Sequence, residues 1–534
     1  MPSGAPPGAG TASGRHRLHI LLAARPPSEM TPDRSRRRSG GVLLHPTSLP
    51  GAHGIGELGP HARAFADTIA DMGLGWWQML PIGPTGYGDS PYQSPSTFAG
   101  NPLLISFDDL VEEGLMTEDE AGDHPPFPAG RVDYDRVIPE RTRLLAGTTE
   151  AFPTRASSTH RRAFDDFVDR HGPVWLHDFA LFTALKRAHR LEPWWRWDDG
   201  LRLRRPGDLA NARTHLAPSI RAVLIEQYLF NRQFGRLRRH AAARGVRLIG
   251  DLPIFVAHDS ADVWGHPDLF HLDEHGQPTV VAGVPPDYFS ATGQRWGNPL
   301  YAWERHERDG FSWWKERMRR SLELFDLVRI DHFRGFSASW HIPANEETAV
   351  VGKWVPAPGI ELFDALTDTL GAMPVIAEDL GLITADVEAL RDRYGFPGMK
   401  VLQFGFESES AHALDRFRTN VVAYTGTHDN DTALGWWRDP DERRAPERAL
   451  ARSQLGLEAT EDGFARALIT VLFESIADTV IVPLQDILES GSEARMNTPG
   501  VEGGNWRWRF TTEEIDADRI HWLRTLANRT GRGD

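Results

Sequence analysis

An α/β chain folded as a (β/α)8 TIM barrel, with large and mostly helical insertions after barrel strands, is the architecture that the sequence predicts. Three observations predict it. Short apolar runs recur eight times, amphipathic segments separate them, and several runs lack the polar alternation of a half-exposed strand. The strand candidates are Val42–Leu44, Trp76–Ile82, Val246–Phe255, Phe325–His332, Pro374–Asp379, Met399–Phe404, Val421–Thr427 and Thr479–Pro483. Between them fall helix candidates at His61–Met72, Ser219–Ala243, Trp313–Leu324, Glu361–Leu370, Ala385–Tyr394 and Phe464–Ile476. Eight such strands with helices between them favour a closed barrel over an open sheet.

Residues 1–40 are rich in Pro, Gly, Ser and Arg and are expected to form a disordered extension. The run Leu18–Ala24 sits at the lower limit of a signal-peptide core and is followed by Arg25-Pro26-Pro27, not by a small-residue cleavage site. Residues 41–534 then read as one elaborated catalytic barrel. The gap from Ile82 to Val246 is too long for one crossover, so a helical insertion is expected at about 104–217. A second stretch, about 257–310, is dense in Gly, Pro and aromatics and is expected to build an active-site loop region.

Composition narrows the function. The 534 residues carry 59 basic and 74 acidic side chains, a net charge of -15, which argues against nucleic acid or an anionic membrane as partner. The cysteine count is zero, excluding disulfides, thiolate metal sites and cysteine nucleophiles. No apolar run approaches the roughly 18 residues of a membrane span, and a cytoplasmic protein is expected. His428-Asp429-Asn430-Asp431 and His258-Asp259 are tempting as metal ligands, but no metal-binding helix pair or calcium loop accompanies them.

The informative acids end strand candidates: Asp251 in LIGDLPIF, Asp331 in LVRIDHFRGF, Glu378 and Asp379 in VIAEDLG, Asp429 beside His428 in YTGTHDND. Any one of them can be read as a helix cap. Four strands delivering acids to one barrel mouth fit capping poorly and fit glycosidic-bond chemistry well. That chemistry needs one carboxyl to protonate the leaving oxygen and another to attack the anomeric carbon. Arg329 and Asp331 share a strand face, and a guanidinium there favours the ionised form that a nucleophile requires. The same pair also reads as a buried ion pair without chemistry. Most of the 18 tryptophans are expected in the core, whereas Tyr92 and Trp296, in Gly/Pro-rich loops, suit stacking on pyranose rings.

Eight stretches carry a resemblance: GVLLHPTSLPG, GDSPYQSPSTFAGNPLLI, GDLPIFVAHDSADVW, GVPPDYFSATGQRWGNPLY, LVRIDHFRGF, VIAEDLG, YTGTHDNDT and SEARMNTPGVEGGNWRWR. From about residue 41 to 510 the sequence strongly resembles 4-α-glucanotransferases of the amylomaltase (disproportionating enzyme) family in the α-amylase superfamily. The resemblance implies that Asp331 is the nucleophile, Glu378 the general acid/base and Asp429 a third carboxylate gripping ring hydroxyls. It places Arg329, His428 and Asp251 around the sugar at the cleavage point and Tyr92 as a stacking residue there. Tyr288, Phe289, Trp296 and Asn298 match a loop that in the family covers the cleft on the acceptor side. It further implies α-1,4-glucans and malto-oligosaccharides as donor and acceptor, and no cofactor. The extension at 1–40 has no family counterpart, the additional N-terminal β-rich domains of longer members are absent, and 407–419 lacks an expected proline-bearing loop. An α-glucan hydrolase shares every one of these carboxylates; only the loop at 284–299 leans towards transfer. A non-catalytic glucan-binding protein is the remaining alternative, but it would keep the aromatics without needing Arg329, Asp331, Glu378 and Asp429 together. A retaining mechanism expects the carboxyl groups of Asp331 and Glu378 about 5 Å apart.

Overall fold

The computed structural model describes residues 38–286, 290–456, 463–501 and 503–533. Its strands are β1 (Ser39–Leu43), β2 (Trp76–Gln78), β3 (Arg247–Pro253), β4 (Val280–Val284), β5 (Gln294–Pro299), β6 (Leu327–Asp331), β7 (Ala338–Pro343), β8 (Lys353–Pro356), β9 (Val375–Ala377), β10 (Gly398–Val401), β11 (Val421–Tyr424) and β12 (Thr479–Pro483). Eight of them form one sheet in the order β10-β11-β12-β1-β2-β3-β6-β9, and every pair in it is parallel. The two ends meet through the Ala377 amide, which donates to Pro397 O at 2.9 Å. Each of the eight strand candidates overlaps one strand of this barrel.

Alternation along the strands divides two apolar layers. Leu43, Trp76, Ile249, Ile376, Met399, Val422, Tyr424 and Ile481 pack together inside the barrel. Their neighbours Val42, Trp77, Leu248, Val328, Val375, Ala423 and Val480 pack outward, in one core with Phe65, Leu237, Trp314, Leu366 and Leu472 of the surrounding helices. Both strand faces are thus dry, which is why the runs are continuously apolar. Gly41 faces inward, where a Cβ would stand 2.5 Å from the Trp76 side chain and 2.6 Å from Ile481, so only glycine fits between those strands.

Two boundaries differ from the expectation. Arg38, Ser39 and Gly40 belong to the barrel: β1 starts at Ser39, and Arg38 donates to the carbonyls of Phe473 (2.7 Å) and Ser475 (2.6 Å). The stretch 257–310, read as loops, contains β4 and β5 of a second, antiparallel sheet in the order β5-β4-β7-β8. Between β2 and β3 the chain builds helices at Tyr134–Arg155, Ser158–His171, His177–Ala188 and Ala217–Ala243. No helix among the described residues is long and apolar enough to cross a membrane.

Candidate active site

The C-terminal ends of the barrel strands open into a cleft of about 2140 Å³. Register places the polar groups there. Asp251 of β3 lies opposite Arg329 of β6, Pro253 opposite Asp331, and Ile330 opposite Ala377 of β9, so Glu378 follows in step beside Asp331. Counting by twos from Ile249, Asp251 faces inward, as do Arg329 and Asp331. The barrel interior therefore ends in a charged layer.

Arg329 organises that layer. Its Nη1 donates to both Asp251 oxygens at 2.8 Å, and its Nη2 lies 2.9 Å from Asp331 Oδ1. Burial alone would lower the guanidinium, but the charges of Asp251 and Asp331 more than offset it and hold it well above its ordinary value. The Tyr92 hydroxyl donates to Asp251 Oδ2 at 2.7 Å, which fixes the ring. That ring stacks on His428 with centroids 5.1 Å apart and planes 15° from parallel, and Trp506 closes on both.

Glu378 is held differently. It accepts from the His332 amide at 2.6 Å and from the Leu380 amide at 2.9 Å. His332 adopts a left-handed conformation, φ 52°, at the point where its N–H meets the carboxylate. Burial, then the charge of Asp331, push the Glu378 carboxyl up to about 8, against the opposing pull of Arg329 and the two amides. Of the two neighbouring carboxyls, Glu378 is thus the one biased towards its protonated form, while Asp331 faces a guanidinium. Backbone bonds from Glu378 N to Ile330 O (3.1 Å) and from Phe333 N to Glu378 O (3.1 Å) tie the two strand ends together.

Asp429, nearly half exposed, accepts from the Asn497 amide at 2.6 Å and lies 3.4 Å from His428 Nε2. Its backbone carbonyl accepts from Arg495 at 2.7 Å. Trp296 of β5 stands edge-on to the His332 ring, centroids 4.8 Å apart, and the indole N–H donates to Gln294 Oε1 at 3.1 Å. Asn298 is buried and donates to Val256 O at 2.9 Å, an anchor for the wall of the cleft. Tyr288 and Phe289 lie outside the described residues.

Arg329, Asp331, Glu378, His428, Asp429, Tyr92, Trp296 and Asn298 all line this one cleft, with Asp251 directly beneath. Asp379 does not join them. It accepts from the Met399 amide at 2.7 Å and pairs with Arg391, sealing the seam between β9 and β10. His258 and Asp259 also lie apart: Asp259 pairs with Lys186, and His258 stacks on Trp195 at 3.9 Å. Residue type and spacing assign no site role to His332, Asn497 or Trp506. The first directly follows Asp331, and the others sit in the stretch MNTPGVEGGNW, which carries part of the family resemblance and is dense in turn-formers around polar and aromatic residues, but which by itself assigns neither a role.

A parallel (β/α)8 barrel whose strand ends hold carboxyl groups around an arginine, in an open cleft with aromatic walls, defines the class of barrel enzymes built for glycosidic bonds. The 4-alpha-glucanotransferase family model matches residues 44–514. The 4-alpha-glucanotransferase of Thermus thermophilus is 51% identical over 501 residues, 93% of this chain and 99% of that protein. That of Synechocystis is 46% identical, covering 90% of this chain and 95% of its own length. Among solved structures, the amylomaltase of Streptococcus agalactiae in complex with acarbose superposes with a TM-score of 0.89 at 38% identity, covering 93% of this chain and 100% of that one. The chain belongs to the 4-alpha-glucanotransferase family.

Proposed function

We propose that this enzyme moves α-1,4-glucan segments between malto-oligosaccharides by retaining double displacement, with Asp331, Glu378 and Asp429 as its three carboxylates. The observation that carries the reading is the contrast between neighbouring strand ends: Asp331 lies beside the permanently charged Arg329, while Glu378 holds its proton near pH 7. Glu378 protonates the departing glucan oxygen as Asp331 attacks the anomeric carbon, which forms a covalent glucan–enzyme ester. The Glu378 carboxylate then takes the proton of an incoming 4-hydroxyl, whose oxygen displaces Asp331. Asp429, fixed by Asn497, holds ring hydroxyls, and Tyr92, locked by its bond to Asp251, offers its ring to the sugar at the cleavage point.

Transfer wins over hydrolysis only when the acceptor is held in place and water is kept away. Trp296 supports that role: it stands over His332, next to the nucleophile, and lines the cleft. Stacking on an acceptor ring is worth on the order of 1 kcal/mol, roughly fivefold in rate. Trp296→Ala is expected to reduce transfer about fivefold while bond cleavage falls less, so reducing ends rise relative to transfer products. Chromatographic product sizes and a reducing-end assay read both quantities; an unchanged ratio would remove Trp296 from the acceptor side.

A further inference from the structure

A second tryptophan reaches the cleft from the sheet that carries Trp296. Trp354 of β8 is half-buried and lines the cleft wall. The Arg334 guanidinium covers one face of its indole, 3.8 Å from the ring centroid. Trp340, its register partner on β7, stands across the strand pair with centroids 5.4 Å apart. Arg334 is itself buried, at 6% exposure, and donates to the carbonyl of Leu382. Leu382 lines the same cleft with its side chain 65% exposed. One guanidinium therefore joins the tryptophan and the leucine into a single platform, and it arises from the turn at Phe333–Phe336 that directly follows the β6 carboxylate strand.

Two physical arguments give the platform a ligand. A guanidinium taken out of water carries a desolvation penalty, and the Arg334 Nε finds no hydrogen-bond partner. That penalty is offset in part by the charge of Asp386, by the cation–π contact and by the Leu382 carbonyl, and the last two hold guanidinium and indole together. A rigid aromatic beside an exposed aliphatic side chain is a binding feature, since it stacks a flat ring at little entropic cost. The cleft, at about 2140 Å³, is also more than twice the volume of an ordinary small-molecule site, roughly 300–1,000 Å³. It has room for rings far from the bond that breaks.

We propose that Trp354, fixed by Arg334 and flanked by Leu382, is a distal subsite that stacks a pyranose ring of the acceptor glucan beyond the ring nearest Trp296. The proposal rests on the transferase reading. It makes acceptor preference depend on chain length: a long acceptor spans both tryptophans, and a single glucose cannot.

The test uses the full-length enzyme with unlabelled maltotriose as donor and either ¹⁴C-glucose or ¹⁴C-maltopentaose as acceptor, reading labelled products longer than the acceptor. Trp354→Ala is expected to raise the acceptor KM for maltopentaose about five- to tenfold while that for glucose stays within about twofold. Trp354→Phe should recover most of the loss, because a ring face is restored. Leu382→Ser, at an exposed position with no core packing to lose, should shift the maltopentaose KM the same way by about twofold, with an unchanged melting temperature. An unchanged maltopentaose KM in Trp354→Ala and Leu382→Ser, or equal rises for both acceptors, would overturn the distal subsite. Failure of the wild type to extend either labelled acceptor would instead overturn the transferase reading on which it rests.

Discussion

Asp331→Asn is expected to lower turnover by more than about 10³-fold, since an amide cannot form the glycosyl ester through which both half-reactions pass. The fold should survive. The Asp331 side chain is one-third exposed, and Arg329, the buried partner it leaves behind, keeps both of its bonds to Asp251. The change therefore breaks one contact at the rim of the charged layer without stranding a buried cation. Melting temperature and circular dichroism close to the wild type, together with abolished disproportionation, are the expected pair of results. Near-normal activity in the variant would remove Asp331 from the nucleophile position.

Glu378→Gln is expected to reduce turnover with natural glucans by about 10²–10⁴-fold, the usual contribution of a positioned acid and base. The pH dependence identifies the group. In the wild type, kcat/KM for the donor should fall as pH rises through about 8, where Glu378 loses the proton it must give to the leaving oxygen. That limb should vanish from the residual activity of Glu378→Gln. Stability should also fall as pH rises through this range. The carboxyl has an ordinary value near 4.5 in the unfolded chain and about 8 in the fold, so the native state binds the extra proton between those limits. Wild-type stability attributable to this group is then fully present below pH 4.5 and is lost progressively as pH rises to about 8. Glutamine carries no such dependence, and its NH2 must face one of the two backbone N–H groups at a cost that does not vary with pH, so the melting-temperature difference between Glu378→Gln and the wild type should shift in favour of the variant as pH rises from 4.5 to about 8. A difference that stays constant, or that moves in favour of the wild type as pH rises, would show that the charged carboxylate is favoured where it sits.

The barrel was legible because its strands are dry on both faces, so stretches such as Val246–Phe255 and Thr479–Pro483 read as unbroken apolar runs in which a charge is conspicuous. The same logic exposed the mouth: Asp251, Asp331 and Glu378 each end such a run, and the two-residue step from Arg329 to Asp331 put both on one face. The antiparallel sheet was hidden by a different physics. Its strands are short, β4 contains Gly283, β5 ends on Pro299, and β8 exposes Lys353 and Pro356, so neither alternation nor a long continuous run stands out. Groups such as Asn497 and Trp506 escaped because loops brought from far along the chain set their place at the mouth, and no periodicity reports that. Asp379 looked like a mouth acid from its neighbour, but consecutive residues at a strand end point apart, and it turned to the β9–β10 seam.

The glucan-bound enzyme is expected to pass its sugar to another glucan and not to water. Incubation of the wild-type protein with maltotriose alone, followed by separation of products by size and a count of total reducing ends, tests it directly. A transferase gives glucose together with maltopentaose and longer chains, at a constant number of reducing ends. Glucose and maltose as the main products, with reducing ends rising steadily, would contradict it.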